Sequence, residues 1–155
     1  MSILIFSDLF PKYHPRVAAD FFAALTRHGV NFELIGDTKD IWARDYLPLV
    51  CADGQVCSYV YNPDYLRGDE KYRTILPPMP RHLPLVMDGG NFERIGRKAI
   101  MTDKVFTDNP GLSRDEIKRL ICEKCAIGEL IIVPRAPYDP YGHTDTIVRF
   151  TSKIA

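Results

Sequence analysis

Apolar positions in this chain come in short bursts, and the spacing inside each burst tells strand from helix. ILIF (3–6) is continuous and predicts a buried strand. Pro15 suits a first helical turn, Val17, Phe21 and Leu25 then recur every fourth residue on one helical face, and Gly29 is placed to end that helix. NFELI (31–35) predicts a second strand. YLPLVCADGQVCSYVY (46–61) predicts two strands around a turn at Asp53-Gly54. Residues 62–84, rich in Pro, Arg and Tyr, predict a long loop of the kind that often carries function. LPLVMDGGNF (83–92) starts as a strand and breaks at its glycine pair, and KAIMT (98–102) is a further strand. SRDE (113–116) is a capping box before a helix whose buried stripe is Ile117, Leu120 and Ile121, closed by Gly128. ELIIVP (129–134) predicts a buried strand and DTIVRF (145–150) a last one.

These elements predict a mixed α/β fold over a single domain, residues 1–155. Both halves contain strands, one amphipathic helix and another strand, so an internal repeat of a ββαβ-like unit is expected. The last strand, close to the end of the chain, wants neighbours on both edges, which points to an incomplete fold.

Composition narrows the function classes. The 20 basic residues balance the 20 acidic ones, so charge gives no case for nucleic acid or an anionic membrane as partner. No apolar run reaches the roughly 20 residues of a spanning helix. The first residues lack a basic segment and a small-residue cleavage site, which excludes a secretory signal and sets the expected location as cytoplasmic. The four cysteines, Cys51, Cys57, Cys122 and Cys125, are then expected as reduced thiols.

Four stretches could carry chemistry, each with a plainer alternative. In DIWARDYLP (40–48), Trp42 offers a π face and Asp45 a carboxylate, a pair suited to a flat cation such as guanidinium. The alternative is a core tryptophan beside an aspartate paired to Arg44. In MDGGNFERIG (87–96) the glycines permit positive φ or close backbone approach, or make an ordinary turn with Asn91 in the left-handed region. In YDPYGHTD (138–145), an extended 143–145 would turn His143 and Asp145 to one face as an acid–base pair, with Asp139 four residues before the histidine. The alternative is a surface loop with a satisfied histidine. CEKC (122–125) has the spacing of a redox or zinc half-site. It falls late in a helix without a second half-site, and Cys125 continues the buried stripe.

W-x-R-D, then D-G-G-N, then G-H-x-D before an apolar segment with Arg-Phe, in that order, resembles the agmatine deiminase and bacterial peptidylarginine deiminase family. These are guanidino-group-modifying enzymes of the pentein superfamily. The resemblance runs from about Ile3 to Phe150. It implies a partial α/β propeller of ββαβ-type units, with this chain as the N-terminal half. It also implies hydrolysis of a guanidinium C–N bond without metal or organic cofactor, as in the conversion of agmatine to N-carbamoylputrescine and ammonia in polyamine biosynthesis. Carried over by motif, Asp45 and Asp145 are the guanidinium carboxylates and His143 the acid/base. Trp42 would line the substrate channel, and Asp139 would meet the far amine of agmatine. Asp88, Gly89, Gly90 and Asn91 match a motif taken as mainly structural.

One departure matters. The family's nucleophilic cysteine lies in a Gly-rich C-terminal segment, and none of the four cysteines has that context. The lone chain is therefore expected to be inactive. Three readings follow. The first is one part of a deiminase for agmatine, or for peptidyl or free arginine. The second is a non-catalytic binding module that self-associates, or takes a second-half partner, through open sheet edges. The third is a small redox or zinc protein using Cys122 and Cys125.

Overall fold

The computed structural model describes residues 3–151, which fall into two compact units. The first holds the segment up to Ala43 together with Asp69–Ile75. Here β1 (Ile3–Ser7), α1 (Leu9–Tyr13), α2 (Pro15–Arg27) and β2 (Asn31–Ile35) form a β–α–α–β unit. β1 and β2 pair in parallel, Ile3 opposite Asn31 through Ser7 opposite Ile35. Pro15 opens α2, and Gly29, at φ +65°, follows its end as the spacing predicts. The helix packs by its phenylalanines: Phe22 stacks on Phe32 at 4.5 Å, and Phe6 meets Phe21 edge-on at 5.6 Å.

Burial in this unit departs from the sequence expectation. Ile3, Leu4 and Ile5 are 37–45% exposed, Val17 is exposed, and Ala18 is the buried residue of α2. A continuous apolar run predicts burial when a strand has neighbours on both edges and both faces. Among the described residues, β1 has one ladder partner.

The second unit contains the core. β3 (Leu49–Val50) and β4 (Val56–Val60) form the expected hairpin, with Gly54 at φ +80° in its turn. β4 then pairs in parallel with β5 (His82–Val86), giving the order β3-β4-β5. The register jumps between Tyr59–Leu83 and Val60–Val86. Pro84 lies in the skipped stretch and has no N–H to give the ladder. The connecting loop contains short 3-10 turns at Asp64–Leu66 and Glu70–Tyr72.

β6 (Glu93–Ile95), β7 (Lys98–Thr102), α4 (Lys104–Asp108), α5 (Arg114–Lys124) and β8 (Glu129–Val133) follow as a ββαβ unit. β6 runs antiparallel and β8 parallel to β7, so both three-stranded sheets share one pattern. The strand pattern of the expected repeat is present, but a loop with 3-10 turns stands between β4 and β5 where the second copy has helices. Leu83, Leu85, Ala99, Met101, Val105, Ile117 and Ile121 are fully buried between these elements. The capping box on α5 is formed in both directions.

Three expectations are corrected here. α5 ends at Lys124, and the left-handed residue beyond it is Ala126 at φ +56°, not Gly128. β8 is only partly buried, with Ile131 38% exposed. Residues 145–150 do not form a strand. Thr144–Thr146 is a 3-10 turn, and the N–H groups of Ile147 and Val148 bond back to the Thr144 carbonyl instead of to a neighbouring strand. Residues 152–155, the end of the chain on which the open-edge argument rested, lie outside the described residues.

Ala126 gives a direct stability prediction. A Cβ in the left-handed region costs about 1–2 kcal/mol, and glycine returns part of the relief through unfolded-state entropy. Ala126→Gly is expected to stabilise the chain by about 0.5–1 kcal/mol, read as a higher urea midpoint. A lower midpoint would show that the Ala126 methyl contributes packing that outweighs the strain.

Candidate functional site

His143 sits just before the Thr144–Thr146 turn and is 7% exposed. The chain brings two aspartates to its two ring nitrogens. Asp45 comes from α3 (Ala43–Tyr46), and its Oδ1 lies 3.8 Å from Nδ1. Asp88 comes from the loop leaving β5, and its Oδ2 lies 3.3 Å from Nε2. Asp88 was legible in the sequence only as part of a turn motif. Its neighbour in space is 55 residues away, and no local pattern carries that information.

The glycine pair explains the approach. Gly89 and Gly90 lie in a buried 3-10 turn, outside the left-handed region. A Cβ on Gly90 would stand 2.6 Å from His143 Nδ1 and 2.8 Å from Asp45 Oδ1. On Gly89 it would stand 2.0 Å from the Arg44 carbonyl oxygen. Close packing, not turn conformation, is what these positions require. Asn91 is not in the left-handed region either. Its Oδ1 accepts the Thr102 N–H and the Thr144 hydroxyl, both at 2.8 Å, which fastens the histidine loop to β7.

Asp139 holds the same loop from its other side. Its carboxylate accepts N–H groups of Tyr141 and His143 at 2.9 Å and the Thr146 hydroxyl at 3.0 Å. Burial pushes this carboxyl up, but those bonds outweigh it and hold the group below its ordinary range. Asp145 is half-buried on the 3-10 turn, not extended beside His143, and acts on the imidazole through its charge. Arg44 donates to Glu93 at 2.7 Å and to the Phe92 carbonyl at 2.8 Å, and Arg149 meets the same Glu93 at 2.7 Å. Trp42 belongs to the first unit and is 67% exposed.

Beneath the histidine, Lys104 is buried against three carboxylates. Its Nζ lies 2.6 Å from Asp108, 3.2 Å from Asp88 and 3.4 Å from Asp64. Asp88 Oδ2 thus serves both Lys104 and His143, while its Oδ1 is buried with no hydrogen-bond partner among the described residues. Tyr65 and Tyr141 meet edge-on at 5.0 Å, with ring centroids 6.1 and 5.9 Å from the imidazole.

Electrostatics favour cations here. Desolvation pulls His143 toward the neutral form. The hydrogen bond to Asp88 and the charges of Asp45, Asp88 and Asp145 overcome it, leaving the pKa above 6.5. Burial likewise opposes the Lys104 charge and is outweighed by Asp88, Asp108 and Asp64. Asp108 nevertheless stays above its ordinary range, because burial dominates there. Three carboxylates share one ammonium, so the ammonium gains more than each carboxylate does. The four cysteines are placed elsewhere: Cys51, Cys57 and Cys125 in the core, and Cys122, half-buried, on α5.

Comparison with known proteins places this arrangement in context. A model of the Porphyromonas-type peptidyl-arginine deiminase family matches residues 14–154. Among solved structures, agmatine deiminase from C. jejuni aligns with 98% of this chain and 57% of its own at a TM-score of 0.64 and 16% identity. A cysteine-to-serine variant of that enzyme with substrate bound aligns at a TM-score of 0.63 and 15% identity, over 98% of this chain and 60% of its own. Agmatine deiminase of Enterococcus faecalis aligns at a TM-score of 0.52 and 17% identity, over 96% and 45%. The chain therefore spans about half the length of these proteins and, over that span, has their α/β-propeller (pentein) fold. No curated protein matches the chain significantly. Among the described residues, no helix is long and apolar enough to cross a membrane.

Proposed function

Because this chain belongs to the Porphyromonas-type peptidyl-arginine deiminase family, we propose that Asp45, Asp88, His143 and Asp145 are the guanidinium-holding and proton-transfer part of a deiminase site. The observation that carries this reading is a buried imidazole with a carboxylate at each nitrogen and its pKa raised. A guanidinium is a delocalised cation, so carboxylates fix its plane and charge. Asp45 and Asp145 hold the guanidinium. His143, oriented by Asp88, donates the proton that lets ammonia leave. Asp139 works through the loop it holds.

Agmatine is the substrate we favour, in a cytoplasmic setting. Around His143 the carboxylates of Asp45, Asp88 and Asp145, with Asp64 and Asp108 beyond Lys104, outnumber the single fixed ammonium. A dication suits that field, and the α-carboxylate of free arginine opposes it. Tyr65 and Tyr141 add aromatic faces for a cationic chain. The thiol that attacks the guanidinium carbon is not among Cys51, Cys57 and Cys125, which are 0–1% exposed in the core, nor is it Cys122, which packs against that core from α5. The chain by itself therefore binds without turnover.

Isothermal calorimetry of the pure chain with agmatine, free arginine and a blocked arginyl peptide tests this. Agmatine is expected to bind with a Kd on the order of millimolar, at least about tenfold tighter than free arginine. Asp45→Asn is expected to weaken it by about tenfold or more. Equal binding by Asp45→Asn, or release of ammonia by the chain alone, would overturn the assignment of roles. Preference for the peptide would move the substrate to peptidyl-arginine.

A further inference from the structure

We propose that Cys51, Cys57 and Cys125 form a binding site for one thiophilic d10 cation, zinc(II) or copper(I), in the core of the second unit. Their sulfurs all lie within 4.8 Å of one another, and the three residues are 1%, 0% and 0% exposed. A single ion at the usual thiolate distance separates its sulfurs by roughly 3.8–4.0 Å, so closing this set needs a shift of less than about 1 Å. The C-x-x-C spacing of Cys122 and Cys125 had suggested a different pair. The fold leaves Cys122 out and brings Cys125 to two cysteines more than 60 positions earlier.

Local structure makes the set rigid. Cys51 opens the hairpin turn, its N–H bonded to the Gln55 carbonyl at 2.7 Å. Cys57 lies in β4 opposite Leu49. Cys125 caps α5, and its carbonyl accepts the Ala52 N–H at 3.0 Å, which pins the helix end to the hairpin. The left-handed turn at Ala126 follows directly. Three sulfurs on pinned backbone are a preorganised ligand set. Thiolates select soft ions over magnesium or calcium.

The charges also fit. Binding replaces three thiol protons with one ion and changes no oxidation state: Zn(II) plus three R–SH gives a tris-thiolate monoanion and three protons. The Arg81 guanidinium lies against Cys51, while also pairing with Asp53 at 2.7 Å, and Lys124 lies near Cys57. The Lys124 carbonyl, 3.6 Å from the Cys51 sulfur, offers zinc a fourth ligand, whereas copper(I) is complete with three thiolates. The ion would clip the β3–β4 hairpin to α5. The competing account is that three cysteines pack there as small apolar side chains.

The test uses the full chain, reduced, stripped with chelator, then titrated with zinc(II) alone and anaerobically with copper(I) alone. The expected result is one equivalent retained through desalting, with three protons released and a higher melting temperature. Cys122→Ser is expected to retain the ion. Cys51→Ser, Cys57→Ser and Cys125→Ser are each expected to weaken retention by at least a hundredfold. Should those variants fail to fold, X-ray absorption of the wild-type complex counts its ligands directly: three sulfurs for copper, three sulfurs and one oxygen for zinc. Retention of neither ion, a shell with fewer than three sulfurs, or retention untouched by the three substitutions in folded chains would overturn the proposal.

Discussion

Lys104→Met is expected to destabilise the chain by about 3–5 kcal/mol, the range for removing one member of a buried ion pair. The ammonium side chain is 2% exposed; without it Asp108, at 8%, would be left buried without that counter-charge, and Asp88, at 0%, would keep only the His143 imidazole. The methylene stem is matched by methionine, so the loss reports charge rather than packing. Lys104 is held above its ordinary pKa, so its contribution is complete below 10.5 and fades as pH rises through the higher folded value. Near neutral pH the full penalty should therefore appear in urea unfolding. Adding Asp108→Asn should recover part of it, because fewer buried carboxylates stay unpaired. A loss below about 1 kcal/mol would mean that water reaches this cluster.

The second large effect is expected at the glycine pair. In Gly89→Ala the new methyl would overlap the Arg44 carbonyl, and backbone must move to admit it. Overpacking of this kind costs about 1–3 kcal/mol. In Gly90→Ala the methyl meets the His143 ring and the Asp45 carboxylate, which are side chains and can turn aside. The two substitutions should therefore separate. Gly89→Ala should lower the urea midpoint strongly. Gly90→Ala should lower it less yet abolish guanidinium binding, since it parts the two groups that the site requires. Equal midpoints with binding intact in Gly90→Ala would show that the Asp45–His143 contact is not what the glycine protects.

What the sequence disclosed follows from the range of each signal. The capping box at Ser113–Glu116, the turn at Asp53-Gly54 and the stop at Gly29 are local, need only neighbouring residues, and are formed as read. The ordered motifs around Asp45, Asp88 and His143 disclosed the family. The contacts that make the site did not show, because Asp88 and His143, or Lys104 and Asp64, meet only through the fold. Burial of ILIF and ELIIVP was over-read for a related reason. Hydrophobicity states that a strand can be covered, and only the sheet order states by what. The final strand was lost to a local competitor, the turn at Thr144–Thr146. That turn brings the Thr146 hydroxyl to the His143 carbonyl and the Asp139 carboxylate, which fixes the histidine loop.

The measurement that bears most directly on the central claim is the titration of the His143 ring by NMR, with and without agmatine. The free chain is expected to show a pKa above 6.5, sustained by Asp88 and Asp45. That raised value stabilises the fold at pH below 6.5, and the contribution is lost as pH rises through the folded pKa. Asp88→Asn should lower it. Agmatine should lower it too, because a guanidinium between the carboxylates competes with the imidazolium for the same charge, and by linkage its affinity should rise with pH across that pKa. A ring that titrates at or below 6.5, indifferent both to Asp88→Asn and to agmatine, would contradict the account.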